Sequence, residues 1–214
     1  MWGYPLKAPE SLAHVRDTYN RQMAGPLRAL FGPLALQGGR WPFLNLERLL
    51  GDVASLLEVG CGQGFLLEKA LRQLEPRRAV GVDLSEVMLE IAWERLRKPG
   101  KTDAIQVAQA EASALPFRDA CFDGLLSMSV IEHLDETALM KFMAEAKRVL
   151  RPGGRLFVWS FSPRSPIVLA RQTMTGRSSH ELRLLATQAG FREARSPRVG
   201  LPFPFSSTVL AYRE

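Results

Sequence analysis

The stretch Leu56-Leu57-Glu58-Val59-Gly60-Cys61-Gly62-Gln63-Gly64 decides the fold of this 214-residue chain. An apolar run of strand length ends in a Gly-x-Gly-x-Gly turn, and an amphipathic segment, 65–74, follows at once. Glycine lets the backbone turn tightly and approach a ligand closely, and the first turn of a following helix offers N–H donors. The pattern therefore predicts a strand, a turn and a helix that bind a nucleotide-like cofactor over the strand ends.

The glycine spacing distinguishes this turn from that of dinucleotide-binding folds. Those folds have Gly-x-Gly-x-x-Gly, and the N-terminus of their helix faces a pyrophosphate. Here the third glycine comes one residue earlier, and Glu58 places a carboxylate where a pyrophosphate would be repelled. A cofactor with a cationic group fits better, and a nicotinamide-dependent oxidoreductase is disfavoured.

Apolar runs of strand length alternate with segments of helical period after this turn. Strands are predicted at 54–59, 78–82, 104–108, 122–128 and 155–161, and helices at 65–74, 85–96 and 137–150. This alternation predicts βαβ units and a parallel sheet. A helix at 179–189 precedes two last strands, 191–198 and 207–212, which have no helix between them and so predict an antiparallel edge.

The length favours one domain over residues 1–214. We expect a helical cap at 1–50, a cofactor-binding core at 51–161, an irregular substrate-side loop at 162–178, and a closing helix and strand pair at 179–214. Within the cap, 11–24 and 44–50 have helical character.

Composition limits the partners and the compartment. The net charge of +6 permits an acidic partner, but the arginines are scattered without a dense basic run, so nucleic acid is possible and not favoured. No apolar run approaches the ~20 residues that span a bilayer, so we expect no membrane partner. The N-terminus lacks a signal-peptide pattern, and Cys61 and Cys121 lack metal-ligand spacing. A cytoplasmic protein without a metal site is expected.

Three further features are predicted at the carboxyl edge of the sheet, where open α/β sheets bind ligands. Asp83 ends the second strand, and its carboxylate can accept hydrogen bonds from both hydroxyls of a ribose. Glu111 follows the third strand and can accept one from an adenine amino group. Met128 lies at the end of the fourth strand, beside the crevice.

Together these segments resemble one family, the class I (seven-strand) S-adenosylmethionine-dependent methyltransferases, and within it the type 11 group. The resemblance covers roughly residues 53–161, and its motifs occur in the family's order. They are 57–64, 81–89, 110–117, Phe122-Asp123, 130–134 and 148–154.

The resemblance implies a Rossmann-like α/β fold, in which a seven-stranded, mostly parallel sheet with an antiparallel terminal strand lies between two helical layers. It also implies the cofactor S-adenosylmethionine, whose contacts would come from four segments. These are Glu58, Gly60, Cys61, Gly62 and Gly64 at the glycine turn, Asp83, Leu84 and Met88 after the second strand, Glu111 and Ala112 after the third, and Met128.

The roles of these residues follow from the same resemblance. Glu58, Gly60 and Gly62 would surround the methionine part, and Asp83 would bind the ribose. Leu84 and Met88 would pack on the adenine, whose amino edge Glu111 and Ala112 would contact. Met128 would offer its carbonyl to the ammonium group. The family more often has Asp at position 111, and Glu keeps the acceptor.

The implied reaction is transfer of a methyl group, by in-line displacement, to a small-molecule acceptor. Orientation of the reactants can supply ~7–11 kcal/mol of the barrier. If the acceptor is protonated, His133 is the candidate base, and its alternative role is to hold the loop after the fourth strand. Tyr19 in the cap could contact the cofactor carboxylate or simply pack.

Other interpretations stay open on the sequence alone. Arg164, Arg171 and Arg177 could bind an anionic substrate or belong to a solvated loop. The chain could instead be an RNA or protein methyltransferase, or a regulator that binds the cofactor without catalysis. The methylated atom and the oligomeric state are not specified by the sequence.

Overall fold

The computed structural model of the chain describes residues 14, 16–18, 20, 21, 44–97, 104–170, 174–197, 199 and 205–214. Within them, seven strands form one sheet: β1 (Ser55–Val59), β2 (Arg78–Asp83), β3 (Ile105–Gln109), β4 (Phe122–Met128), β5 (Leu150–Phe161), β6 (Arg192–Arg195) and β7 (Ser206–Tyr212). The α-helices with described bounds are α1 (Leu46–Leu50), α2 (Phe65–Gln73), α3 (Glu86–Leu96), α4 (Glu136–Val149), α5 (Pro166–Ala170) and α6 (Ser179–Gln188).

The strand order is β3-β2-β1-β4-β5-β7-β6. Strands β1 to β5 are parallel, and β7 is antiparallel to both β5 and β6. The predicted mostly parallel sheet with an antiparallel closing strand is therefore confirmed. β1 pairs with β2 on one side and with β4 on the other, so successive strands are added to opposite sides of β1. In open α/β sheets a ligand-binding crevice lies at the carboxyl ends of the strands at such a point.

Alternate residues of the buried strands face two separate hydrophobic clusters, which accounts for three layers. Leu57 of β1 faces the cluster formed by α4 and α6, whereas its neighbour Leu56 faces the cluster formed by α1, α2 and α3. Helices consequently cover both faces of the sheet, as predicted.

Helix starts are encoded locally. The Ser85 side chain accepts a hydrogen bond from the Met88 N–H at the start of α3. Asp135 caps α4 in the same way, and Ser178 forms a capping box with Glu181 at the start of α6.

The predicted bounds are wrong in two places. The segment 162–178, expected to be irregular, contains α5, whose Val168 is buried against the sheet. The helix expected to end at Leu150 ends at Val149, and β5 begins at Leu150 instead of 155 because the backbone pairs Leu150 with Phe122 before a register shift.

The division into one domain with four parts remains an expectation, since most of 1–43 lies outside the described residues. No described helix has the length and apolar character that crossing a membrane requires.

Candidate functional site

The carboxyl ends of β1, β2 and β4 lie side by side. Val59 pairs with Val82 on one side and with Ser127 on the other. The glycine turn, Asp83 and Met128 are the next residues along these strands, so the structure brings together three of the four predicted site segments. The loop after β3 joins them through the Ala110 N–H, which donates to the Asp83 carbonyl over 3.1 Å.

The glycine turn folds back over the end of β2. The N–H groups of Gly60 and Cys61 both donate to the Val82 carbonyl, over 2.8 and 2.9 Å. The Gly64 N–H then donates to the Cys61 carbonyl over 2.8 Å, which closes the turn immediately before α2. The turn is therefore fixed by its own backbone, and its outer side is available to a ligand.

The three glycines of the turn all have positive φ values, and the missing Cβ serves a different purpose at each. At Gly60 (φ 74°) a Cβ would overlap the Val130 side chain, so this glycine permits packing against the segment after β4. At Gly64 (φ 76°) a Cβ would lie 3.2 Å from atoms of Ala92 and Leu96, so this one lets α3 approach. At Gly62 (φ 50°) nothing in the described chain lies within 4 Å of the Cβ position, and a ligand can approach the backbone there.

Asp83 joins the turn to the start of α3. One carboxylate oxygen accepts from the Gly62 N–H at 2.8 Å, and the other accepts from the Ser85 N–H at 2.9 Å. Burial raises the pKa of Asp83, and these backbone donors oppose the rise. Each oxygen keeps a further lone pair, so the carboxylate can still accept from a diol.

Glu58 is buried beneath the turn, with 2% of its surface exposed. Burial raises the pKa of Glu58 well above its ordinary value, and nearby Asp83 raises it further. The Leu67 N–H, in the first turn of α2, lies close enough to the carboxyl group to oppose the rise of its pKa. The Glu58 carboxyl group thus lies near the first turn of α2, a position that the sequence interpretation did not include.

Cys61 is a buried neutral thiol in the turn. Burial raises its pKa, and the charges of Glu58 and Asp83 act in the same direction. Its Sγ fits closely against β2, since a Cβ at Gly81 would lie 2.9 Å from it. This position gives Cys61 a packing role.

The loop after β3 is held in place from α4. Glu111 is exposed, Ala112 is half-buried, and the Ala114 N–H donates to the Glu111 carbonyl over 3.1 Å. Arg148 donates to the carbonyls of Leu115 and Phe117 over 3.0 and 2.7 Å.

A carboxylate on α4 completes this attachment. Glu145 accepts from the Leu115 N–H at 2.7 Å and from the Arg148 Nε at 2.7 Å. The hydrogen bond from Arg148 lowers the pKa of Glu145, so the pair stays charged. Sequence reasoning missed this pair, although both residues lie one helical turn apart on a helix that was predicted.

The start of α3 contacts the N-terminal segment. Met88 is buried and Leu84 is half-buried, as a wall for a flat ring would require. The Ser85 hydroxyl donates to the Asn20 side-chain oxygen over 2.5 Å, which places that part of the predicted cap beside the site. Tyr19 itself lies outside the described residues.

Arg95, near the C-terminus of α3, contacts the glycine turn and the start of α2. Its Nε donates to the Gln63 carbonyl over 2.9 Å, and its guanidinium carbon lies 3.6 Å from the centroid of the Phe65 ring. Its Nη1 is 3.8 Å from a Glu68 carboxylate oxygen. These three contacts tie the turn and α2 to α3, and no local sequence pattern indicated them.

The segment after β4 contains both a predicted and a missed residue. Met128 and His133 are half-buried, and Ile131–His133 form a short 3-10 turn. Glu132 is buried, accepts from the Ser160 hydroxyl at 2.9 Å, and has its pKa raised by burial to about 7. The Thr175 N–H donates to the Glu132 carbonyl over 2.8 Å, so the segment after β5 packs on it.

The predicted arginines of the segment 162–178 are not brought together by any contact in the described chain. The Arg164 side chain is exposed, and that of Arg177 is half-buried. The backbone N–H of Arg177 donates to the Phe161 carbonyl over 3.2 Å. Arg171 lies outside the described residues.

The chain is similar to known proteins across this core. A family model described as a methyltransferase domain matches residues 57–158. Over 118 residues the chain is 38% identical to the ubiquinone/menaquinone biosynthesis C-methyltransferase UbiE of Hahella chejuensis, covering 54% of this chain and 46% of that protein. Over 108 residues it is 34% identical to the 27-O-demethylrifamycin SV methyltransferase of Amycolatopsis mediterranei, covering 50% and 38%.

Solved structures extend the likeness of fold to nearly the whole chain. Phosphoethanolamine N-methyltransferase 2 of Haemonchus contortus, solved with S-adenosyl-L-methionine, superposes with a TM-score of 0.76 at 18% identity over 97% of this chain and 61% of that one. The chain spans about half the length, or less, of these two curated relatives.

Proposed function

We propose that the chain is a class I methyltransferase that transfers a methyl group from S-adenosylmethionine to a small-molecule acceptor, as the methyltransferase-domain match over 57–158 supports. The observation that supports this most is the joint geometry of Gly62 and Asp83. The turn leaves the backbone of Gly62 open to a ligand, and Asp83 stands beside it with acceptor capacity for a ribose diol.

The donor site we propose uses the residues predicted from the sequence. The adenosine lies between Asp83 on one side and Leu84 and Met88 on the other, with its amino edge toward Glu111 and Ala112. The methionine part lies over the turn at Gly60, Cys61, Gly62 and Gly64, near Glu58 and Met128. Tyr19 is a further candidate beside Asn20.

The carboxyl groups of buried Glu58 and half-buried Asp83 suit a cationic donor. Burial raises the pKa values of Glu58 and Asp83, and a sulfonium and an ammonium nearby would compensate their negative charge. When bound, the sulfonium supplies an already activated methyl group. The chain's part is to hold donor and acceptor in line and to exclude water.

His133 is the proposed base for an acceptor that must lose a proton. It lies in the 3-10 turn at the end of β4, next to the predicted position of the methionine part. The names of the relatives, a quinone-biosynthesis C-methyltransferase and a rifamycin O-methyltransferase, favour a small-molecule acceptor. We further propose one domain, 1–214, acting in the cytoplasm.

Calorimetric titration tests the donor assignment. S-adenosylmethionine should bind the wild-type chain, and Asp83→Ala should weaken binding by about 2–4 kcal/mol because two hydrogen bonds to a charged acceptor are lost. Glu86→Gln, three residues away on the exposed side of α3, is the matched control and should bind as the wild type does. Melting curves of each variant separate lost binding from lost folding. Tight NAD binding without S-adenosylmethionine binding would overturn the proposal.

A further inference from the structure

The chain that follows β5 returns to the end of that strand before α6 begins. The backbone N–H of Arg177 donates to the carbonyl of Phe161, the last residue of β5, over 3.2 Å. At Gly176 a Cβ would lie 2.7 Å from backbone atoms of Pro163, so two backbone segments pass closer there than a side chain would allow. The departing and returning parts of this connection are therefore in contact at the carboxyl edge of the sheet.

On its return the chain crosses from one face of the sheet to the other. Met174 is buried in the cluster formed by α1, α2 and α3, whereas Leu182 of α6 is buried in the cluster formed by α4 and α6. Residues 174–178, the crossing segment, connect the two clusters. The Thr175 N–H donates to the Glu132 carbonyl over 2.8 Å, so the crossing segment lies on the 3-10 turn after β4.

The side chain of Glu132 attaches the same turn to β5. It is 1% exposed, and its Oε2 accepts from the hydroxyl of buried Ser160 at 2.9 Å. Glu132 thus contacts β5 through its side chain and the crossing segment through its carbonyl. The next residue of the turn is His133, the proposed base.

The second carboxyl oxygen of Glu132 is less well placed. Its Oε1 is buried and has no hydrogen-bond partner among the described residues. A neutral carboxyl group tolerates such a position far better than a carboxylate does, and burial raises the pKa of Glu132 to about 7. Above that pH the carboxylate is stabilised by contact with water, which it gains when the turn and the crossing segment part from β5.

Charged neighbours do not account for this preference for the neutral form. Besides burial, the pKa of Glu132 responds to the Ser160 hydroxyl and to the backbone at Glu132 and Phe161, and no charged side chain of the described residues is among the causes. The titratable or charged groups on the described elements around it are His133 in the turn, Asp135 and Glu136 at the start of α4, Arg164 and Arg177 after β5, and His180 and Glu181 at the start of α6.

We propose that Glu132 is a positioning residue of the acceptor side: while its carboxyl group carries a proton, it holds the crossing segment and the turn with His133 together at the end of β5, and loss of the proton lets them part. The proposed base and the crossing segment beside it then lose their fixed positions as pH rises through neutrality. The consequence for catalysis rests on the proposed function, whereas the parting itself is measured without donor or acceptor.

Hydrogen exchange of the Thr175 amide in the free chain, followed by NMR, tests the proposal. After correction for the intrinsic pH dependence of exchange, its protection should fall about tenfold or more between pH 5 and pH 8, because the closed state binds a proton that the open state releases. The amides of β1 report on global unfolding, and their protection should fall less.

Two variants and a matched control assign the effect to the carboxyl group. Glu132→Gln cannot ionise and should keep the same Thr175 protection at pH 5 and pH 8. Ser160→Ala removes a donor that favours the carboxylate, so the midpoint of the fall should move to higher pH, which tests the proposal even if Glu132→Gln folds poorly. Glu136→Gln, exposed at the start of α4, should keep the wild-type midpoint.

Three outcomes would overturn the proposal. Thr175 protection that does not change with pH would show that the carboxyl group does not control the contact. Equal falls at Thr175 and in β1 would make global unfolding the cause. A fall that persists in Glu132→Gln, or that His133→Asn alone abolishes, would assign the titration to another group. Calorimetry with S-adenosylmethionine is a separate measurement, so each of these outcomes leaves the donor assignment standing.

Discussion

The two sides of the sheet edge are built differently. The cofactor side comprises the glycine turn, Asp83 and the loop after β3, and each part is fixed by hydrogen bonds to backbone atoms. The acceptor side comprises the segments after β4 and β5. It combines a buried carboxyl group, Glu132, with an exposed apolar helix, α5.

This difference in construction bears on which ligand each side can bind. Backbone-fixed geometry suits one unchanging ligand, because hydrogen-bonded backbone atoms keep their positions when exposed side chains change. Side chains on a short helix and a long connection can change without altering the sheet. We infer that the cofactor side defines the methyl donor and that the acceptor side defines the acceptor.

The largest expected effect separates packing from binding within the cofactor side. Gly60→Ala should lower the free energy of unfolding by about 2–5 kcal/mol, because its Cβ would overlap Val130 at a positive φ. Gly62→Ala meets nothing in the described chain and should cost only about 1–2 kcal/mol of backbone strain while weakening cofactor binding more. Denaturant unfolding and calorimetry of both variants measure the two effects. Equal losses of stability would contradict the distinction.

The pH dependence of stability tests the buried carboxyl group of Glu132 on the acceptor side. Its raised pKa of about 7 means that the folded chain holds a proton that the unfolded chain releases near pH 4.5. Stability should therefore fall as pH rises from about 4.5 to about 7, with this residue accounting for about 3 kcal/mol. Glu132→Gln cannot titrate and should flatten that part of the stability profile.

The control for this experiment is Glu136→Gln, an exposed carboxylate at the start of α4. Its profile should keep the wild-type slope. An unchanged slope in Glu132→Gln would show that the carboxyl group is ionised in the folded chain at pH 5–6.

A smaller effect is expected at the attachment of the loop after β3. Arg148→Lys keeps the charge but loses the planar fork that reaches Leu115, Phe117 and Glu145 together. We expect a loss of about 1–3 kcal/mol in stability and weaker binding of the adenine end. Comparing S-adenosylhomocysteine with methionine in titrations isolates that end. Normal affinity for both would separate this attachment from the site.

The smallest loss of stability is expected from substitution of Arg95, which contacts the glycine turn. Arg95→Met removes the hydrogen bond to Gln63 and the contact with Phe65, together worth about 1 kcal/mol of stability. Arg97→Met, two residues further along and exposed, is the matched control. Cofactor affinity should fall in Arg95→Met and not in the control, because Arg95 positions the turn. An equal fall in both variants would show that Arg95 has no particular role in positioning the turn.

Much of the cofactor side could be predicted from the sequence because its signals are local. The turn, Asp83 and the cap at Ser85 are all encoded within a few residues of the elements they join. The contacts of Arg95 and Arg148 could not be predicted, since each joins segments about 30 residues apart that meet only after folding. Helix α5 was missed because it is short and begins at Pro166, soon after Pro163.

Glu58 shows a different limit of sequence reasoning. Its position at the end of β1 was predicted, and so was its proximity to the turn. Its proximity to the Leu67 N–H depends on where α2 starts relative to the strand, which periodicity cannot specify. The upward shift of its pKa follows from burial, which a single sequence shows only indirectly.

A crystal structure of the chain with S-adenosylhomocysteine bound would show directly which residues hold the methyl donor. The expected result places the ribose hydroxyls within hydrogen-bond distance of the Asp83 carboxylate and the methionine part against the backbone of Gly62. A ligand bound elsewhere, with Asp83 contacting only the N–H groups of Gly62 and Ser85, would contradict the account.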